Sequence, residues 1–287
     1  MRFLKEMLSR EAYQSIIDLI DASSNGCHSN CLRDLSSKFP NVPHDTLYSI
    51  FAQHFQQTTK QCHSQHRKPL VMQGYYKRYL ASQDQPEVLL HMSQDVSLSP
   101  ALLSRSILES YITENSVTAV GAPSTALVSH WMKNPQHIPD EKLREHVKLC
   151  IRSDTNYGLL AENVKCSVGY QYEQKLRRRL EEHNIPFLDE EFMRLQGYDK
   201  TPDFKLEVPF AVSSTVVNWV ESKALFVDEN SHKRYMEEQL SSYYNRFGSG
   251  MVIYWFGFVE DVLQGSEDQG ILIRTSFPEA QRITSIA

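Results

Sequence analysis

Apolar residues recur at near-helical spacing through the first half of the chain. Leu4, Met7, Leu8, Tyr13, Ile16, Ile17 and Ile20 predict one helix over residues 4–20. Asn25-Gly26 breaks that pattern, and a second helix is expected over 29–39 with Leu32 and Leu35 inward. Pro40 and Pro43 enclose a turn before a third helix, marked by Leu47, Ile50, Phe51 and Phe55. A second helix-turn-helix pattern follows. Val88, Leu89, Leu90 and Met92 mark its first helix, and Ser99 is a good N-cap with Pro100 at the first helical position. In that next helix Leu102, Leu103, Ile107, Leu108 and Tyr111 form the core line, while Ser104, Arg105 and Glu109 face outward. Further helices carry Leu127, Trp131 and Met132, then Leu143, Val147 and Ile151. Residues 1–155 therefore read as an all-α half with helix-turn-helix-like units. Such units read nucleic acid in some proteins and dock other proteins in others, and both roles stay open here.

The pattern changes after Asp154. A short helical piece over 159–165 precedes a longer helix over 169–183, whose apolar line is Tyr172, Leu176 and Leu180. Residues 185–188 form a short strand, and Asp189 caps a helix over 190–195. Phe204, Leu206, Val208 and Phe210 alternate with Asp203, Lys205 and Glu207, which predicts a strand with one core face and one polar face. A second strand contains Glu221 and Lys223, and a helix over 229–247 stops at Gly248. The apolar run from Met251 to Val259 suits one central strand buried on both faces, and 270–274 form a last strand. Residues 156–287 thus read as an α/β domain.

Charge adds one feature that periodicity does not show. The net charge is −5, which argues against broad electrostatic adhesion to nucleic acid. From Thr46 to Gln83, however, there is no acid, and Lys60, Arg67, Lys68, Lys77 and Arg78 lie among Tyr75, Tyr76 and Tyr79. These cations suit phosphate contact, and equally suit a solvated helix face on which Tyr76 and Leu80 pack inward. No apolar run approaches the ~18 residues of a membrane span, so no membrane partner is expected. The start lacks the apolar core of a signal peptide, which points to a cytosolic or nuclear protein. Five dispersed cysteines suit reduced thiols, and Cys27, Cys31, Cys62 and His63 lack the second tight pair of a usual zinc site.

The candidate chemistry lies in the two strands after residue 200. Glu221 and Lys223 share a face because a strand has a period of two. For Asp203 to join them, it must lie opposite Glu221 or Lys223. That requires an odd loop around Val212-Ser213-Ser214 or a bulge near Pro209. Two carboxylates so placed can hold Mg²⁺ (or Mn²⁺), with the backbone carbonyl of Ser222 as a further ligand. Lys223 can orient a water or stabilise developing charge on a phosphodiester.

Pro202-Asp203 followed by Glu221-Ser222-Lys223 resembles the PD-(D/E)XK nuclease superfamily, in its RecB-like and Holliday-junction-resolvase-like branches. There a leading helix contributes a further acid, matched by Glu173. The following helix carries a glutamine and, four residues on, a tyrosine, matched by Gln239 and Tyr243. Phe187-Leu188-Asp189-Glu190, the run Gly197 to Phe204, Trp219 to Ala224, Tyr244 to Gly248 and Val252 to Phe258 look like the codanin-interacting nuclease family. The likeness extends into the helical half at Pro100-Ala101-Leu102-Leu103 and Ile138-Pro139-Asp140.

The resemblance implies a restriction-endonuclease-like domain with a central mixed sheet flanked by helices. It also implies divalent-metal-dependent hydrolysis of DNA or RNA, codanin as partner, a place in nucleus and cytoplasm, and a link to chromatin handling and erythroid maturation. A catalytically silent scaffold for codanin, and a helix-turn-helix regulator acting through the basic segment, are the alternatives it leaves open.

Overall fold

The computed structural model describes residues 7–23, 28–115, 124–212, 215–263, 270–280 and 283–285. The chain begins with β1 (Met7–Leu8), α1 (Arg10–Ala22), α2 (His28–Lys38), α3 (His44–His66) and α4 (Pro69–Ser82). Helices α5 (Val88–Asp95), α6 (Pro100–Glu114), α7 (Ser124–Lys133) and α8 (Glu141–Ser153) follow. Next come α9 (Leu159–Glu182), β2 (Phe187–Asp189), α10 (Glu190–Leu195), β3 (Phe204–Val212) and β4 (Thr215–Lys223). A π-helical turn, Met236–Leu240, separates α11 (Glu229–Tyr235) from α12 (Ser241–Phe247). The last strands are β5 (Gly250–Tyr254), β6 (Phe258–Val259), β7 (Ile271–Arg274) and β8 (Ile283–Ser285).

Two compact units interleave along the sequence, where periodicity suggested a single change after residue 155. One comprises Met1–Ile20, Leu32–Ile50 and Cys166–Ala287; the other comprises Asp21–Cys31 and Phe51–Lys165.

The second of these is helical. Tyr76, Tyr79, Leu89, Met92, Leu103, Ile107, Trp131, Leu143 and Val147 share one core. Its α6 begins as the sequence predicts: the Ser99 hydroxyl accepts from Leu102 N–H, with Pro100 in the first turn. Asp154 ties that turn to the end of α8, since its carboxylate accepts from the N–H groups of Ala101, Asn156 and Tyr157. Two expected orientations are corrected here. Ser104, expected outward, is fully buried, and Leu80, expected inward, is 41% exposed. In α4 the inward line is Tyr76 and Tyr79, three residues apart, which turns Leu80 toward solvent.

The other unit is built on a mixed sheet in the order β2-β3-β4-β5-β7, with β8 added beside β3. Pairs β2/β3, β3/β4 and β3/β8 are antiparallel, and β4/β5 and β5/β7 are parallel. Leu176 and Leu180 of α9 pack with Phe204, Val220, Met251 and Ile253. Trp219, Val252, Tyr254, Ile271 and Ile273 instead pack with Leu240 and Tyr243. Alternate residues of β5 thus enter two different cores, which explains its unbroken apolar sequence.

Several expected elements differ. The first helix begins at Arg10, because the Ser9 hydroxyl accepts from Ala12 N–H, while Met7 and Leu8 pair in parallel with Phe258 and Val259. The run Met251–Val259 is therefore not one strand: it turns at Gly257, whose φ is +92°, and its end joins the small β1/β6 sheet. Helix α9 is continuous where two pieces were expected; a Cβ at Gly169 would meet no atom within 4 Å, so this glycine costs only its ~1 kcal/mol of helix propensity. The β8 strand was not expected. Of the cysteine set, Cys27 lies outside the described residues, and Cys31, Cys62, Cys150 and Cys166 form no disulfide among the described residues.

His232 of α11 gives this unit a pH dependence. Its ring is buried and lies 2.8 Å from the Tyr254 hydroxyl. Burial pushes the imidazole down to about 4. An unfolded histidine titrates near ~6.5, so between these values the unfolded chain binds more protons. Stability is therefore present above about pH 6.5 and is lost as pH falls toward about 4. Denaturant titration is expected to show about 2 kcal/mol of this loss in wild type and its absence in His232→Gln. Identical acid limbs in the two proteins would remove His232 from the explanation.

Candidate active site

The site forms where β3 begins and β4 ends. Near the turn the register is Val212↔Thr215, Ala211↔Val216 and Phe210↔Val217, whereas at the far end it is Lys205↔Trp219 and Phe204↔Val220. The shift lies between Lys205 and Phe210, the segment containing Pro209. Ser213 and Ser214, between the paired Val212 and Thr215, lie outside the described residues. The expected bulge is therefore present and the odd loop is not. Without the shift Asp203 would fall opposite Ala224; with it, Asp203 falls opposite Glu221. The bulge also corrects the expected strand face: Val208, expected in the core, is 41% exposed.

Pro202 has no N–H and ends the ladder at this point. Side chains replace the missing backbone bonds. Ser222 N–H donates to Asp203 Oδ2 at 2.7 Å, and Asp203 N–H donates to Glu221 Oε2 at 3.1 Å. The Lys223 carbonyl accepts from Trp255 N–H at 3.0 Å, so the backbone groups of residue 223 point to β5. Alternation along the strand then turns the Ser222 carbonyl to the same side as its N–H, toward Asp203.

Glu221 is almost fully buried, and Lys223 and Asp203 are partly so. Lys223 Nζ donates to Glu221 Oε1 at 2.7 Å and to Gln239 Oε1 at 2.8 Å. Burial, then the neighbouring charge of Glu221, push the Asp203 carboxyl well above the usual carboxylate range; the Ser222 N–H and the Lys223 ammonium pull the other way. Burial acts against the Lys223 ammonium, but the charge and hydrogen bond of Glu221 outweigh it and raise its pKa. Two acids are thus held together with a single cation beside them, a donor set of hard oxygens that suits Mg²⁺. Among the described residues no three His, Cys, Asp or Glu side chains form a ready metal cage. The ligands on offer are Asp203, Glu221 and the Ser222 carbonyl.

The remaining expected residues divide. Gln239 sits in the π-helical turn and reaches Lys223. Tyr243, one α-helical turn further on, is buried with its ring 5.4 Å from Trp219. Burial and then the charge of Glu221 raise its pKa. Glu173 on α9 is partly buried, and burial, then Glu190, raise its carboxyl; Glu221 lies within electrostatic range. Within the basic segment Arg67 pairs with Glu109 at 3.0 Å and Arg78 with Asp95, while Lys60, Lys68 and Lys77 are exposed.

Sequence reading passed over two residues. The Tyr235 ring centre lies 5.3 Å from Lys223 Nζ, and Trp255 Nε1–H donates to Ser222 Oγ at 2.8 Å. Tyr235 precedes Gln239 by four residues, so extending the Gln239–Tyr243 spacing backwards finds it.

Comparison with known proteins adds a family context. A family model described as a protein of unknown function with a TPD sequence motif matches residues 139–277. Thr201-Pro202-Asp203 lies within that range. The CDAN1-interacting nuclease 1 of Xenopus laevis is 44% identical over 253 residues, covering 87% of this chain and 82% of that protein. The mouse protein of that name is 42% identical over 250 residues (86% of this chain, 88% of that protein), and the human one is 41% identical with the same coverage. No solved structure matches.

Proposed function

The chain belongs to the family of CDAN1-interacting nucleases, and on that premise we propose that it is a divalent-metal-dependent nuclease of the PD-(D/E)XK type that acts with codanin. The observation that carries this reading is the meeting of Asp203, Glu221 and Lys223 at one end of a bulged strand pair, with Gln239 fixing the lysine.

Asp203, Glu221 and the Ser222 carbonyl would hold Mg²⁺, which when bound neutralises charge on the phosphate and makes water more acidic. Lys223 positions the attacking water and offers its ammonium to the phosphoryl oxygens as negative charge develops. Gln239 and the Tyr235 ring keep that ammonium from folding away from the phosphate. Attack by water forms one P–O bond as the P–O bond to the leaving nucleotide breaks. Glu173 adds a further acid at the margin, and Tyr243 packs behind the motif. Lys60, Lys68 and Lys77 supply phosphate contacts outside the catalytic unit.

The test is a panel of branched, single-stranded and duplex DNA and RNA, incubated with purified protein and Mg²⁺ or Mn²⁺. Cleavage of at least one substrate is expected, with its loss on chelation by EDTA and return on adding the metal back. Cleavage that persists in EDTA would remove the metal from the reading. A chain that cuts nothing on the panel yet still captures codanin would favour the scaffold.

A further inference from the structure

A cavity of about 160 Å³ lies at the carboxyl ends of β5 and β7, in the same unit as the candidate active site. Crevices outside the carboxyl ends of parallel strands are habitual ligand sites in α/β folds. Its wall includes Thr46, Lys175, Trp255, Thr275 and Ser276. Trp255 links it to the catalytic strand, since this indole donates to Ser222 Oγ.

Three kinds of donor meet there. Lys175 Nζ lies 4.5 Å from the Trp255 ring centre and 4.9 Å from that of Tyr172, which hold the ammonium at the cavity wall. Thr275 is 91% buried, being 9% exposed, and its hydroxyl makes no hydrogen bond among the described residues. The hydroxyl is not sealed in the core but lines the cavity, where it can bond what enters. The third donor is the start of α3, a helix of 23 residues. Its first intrahelical bond runs from Leu47 N–H to the Pro43 carbonyl, so the N–H groups of His44, Asp45 and Thr46 precede it. Pro43 has no side-chain oxygen to cap them. Ammonium, hydroxyl and helix-start N–H groups together recognise a phosphate. One group opposes an anion: Asp45, exposed on the same first turn, also lines the cavity.

We propose that this cavity is a phosphate subsite, which grips a backbone phosphate of the nucleic-acid strand whose neighbouring phosphodiester lies at Asp203 and Glu221. The anion chemistry stands on the cavity itself; that the anion belongs to a nucleic-acid strand rests on the nuclease reading above.

The test is binding, measured without divalent cation so that nothing is cut. A fluorescent oligonucleotide is titrated with full-length protein at several salt concentrations. The double variant Lys175→Gln, Thr275→Val is expected to bind about tenfold more weakly, with a log–log salt slope smaller by about one. Asp45→Asn is expected to bind about threefold more tightly, a gain that misfolding cannot produce. Inorganic phosphate should raise the Tm of wild type and leave that of the double variant unmoved. Unchanged oligonucleotide affinity and slope in the double variant would overturn the proposal, as would weaker binding by Asp45→Asn. A phosphate effect without any oligonucleotide effect would assign the cavity to a free phosphate compound and overturn the strand assignment. The nuclease reading fails on a separate measurement, cleavage by Asp203→Asn.

Discussion

Asp203→Asn protein is expected to cleave at least about 10³-fold more slowly than wild type, and yet to melt at a higher temperature in metal-free buffer. The substitution keeps the shape of the side chain and keeps an oxygen to accept from Ser222 N–H. What disappears is one of two carboxylates packed together at the end of β4. In metal-free protein their repulsion opposes folding, because burial raises the Asp203 carboxyl and the charge of Glu221 raises it further. Relief of about 1 kcal/mol would raise Tm by roughly 2–4 °C. Lys223→Ala should share the loss of cleavage but reverse the stability change. It leaves Glu221, only 3% exposed, without its 2.7 Å ammonium partner. Opposite signs in calorimetry with a common loss in the cleavage assay would mark a site held against its own electrostatics. Retained cleavage in Asp203→Asn ends the active-site assignment. An unchanged or lower Tm ends the claim of repulsion.

Gly250→Ala should be the most damaging single methyl group in the sheet. A Cβ there would lie 2.1 Å from Cε2 and 2.3 Å from Cδ2 of Trp219. That indole is fully buried and has little room to withdraw. Its Nε1–H donates to the Gly248 carbonyl at 2.9 Å, and its ring meets Tyr243. Either the indole leaves this place or β5 moves away from β4, and β4 carries Glu221 and Lys223. A cost of about 3 kcal/mol or more is expected, which for a unit of this size lowers Tm by roughly 6–12 °C. Thermal melts decide it, and a shift under about 2 °C would show that the strand gives way easily. Cleavage in Gly250→Ala should fall along with stability, unlike in Asp203→Asn, because the strand that presents the site is itself displaced.

The family's shared coverage places these two residues in one context. The relatives named CDAN1-interacting nuclease 1 align with 82–88% of their own length, and the motif-bearing segment from 139 to 277 is matched separately. The relatives that carry that name are therefore chains of similar extent.

Local chemistry was readable residue by residue. Ser99 and Asp189 cap helices because each has a side-chain oxygen placed to accept the N–H of the third residue onward. The period of two in β4 put Glu221 and Lys223 on one face before any partner strand was known. Misreadings arose where a remote partner competes with local preference. Met7 and Leu8 fit a helical line, but Phe258 and Val259 offer them strand bonds. Val208 fits an alternating strand, but the shift between Lys205 and Phe210 turns it to solvent.

For this protein the sequence by itself determined which residue types could do the chemistry, and the elements that carry them. It placed an acid before one strand, an acid and a lysine near the end of the next, and a glutamine on the helix that follows. Only the tertiary structure decided that they meet. The displacement of β3 against β4 brings Asp203 opposite Glu221, and the π-helical turn brings Gln239 to Lys223. Both are choices of register. A register is selected by the summed packing of two cores on the faces of one sheet, a property of residues far apart in the chain.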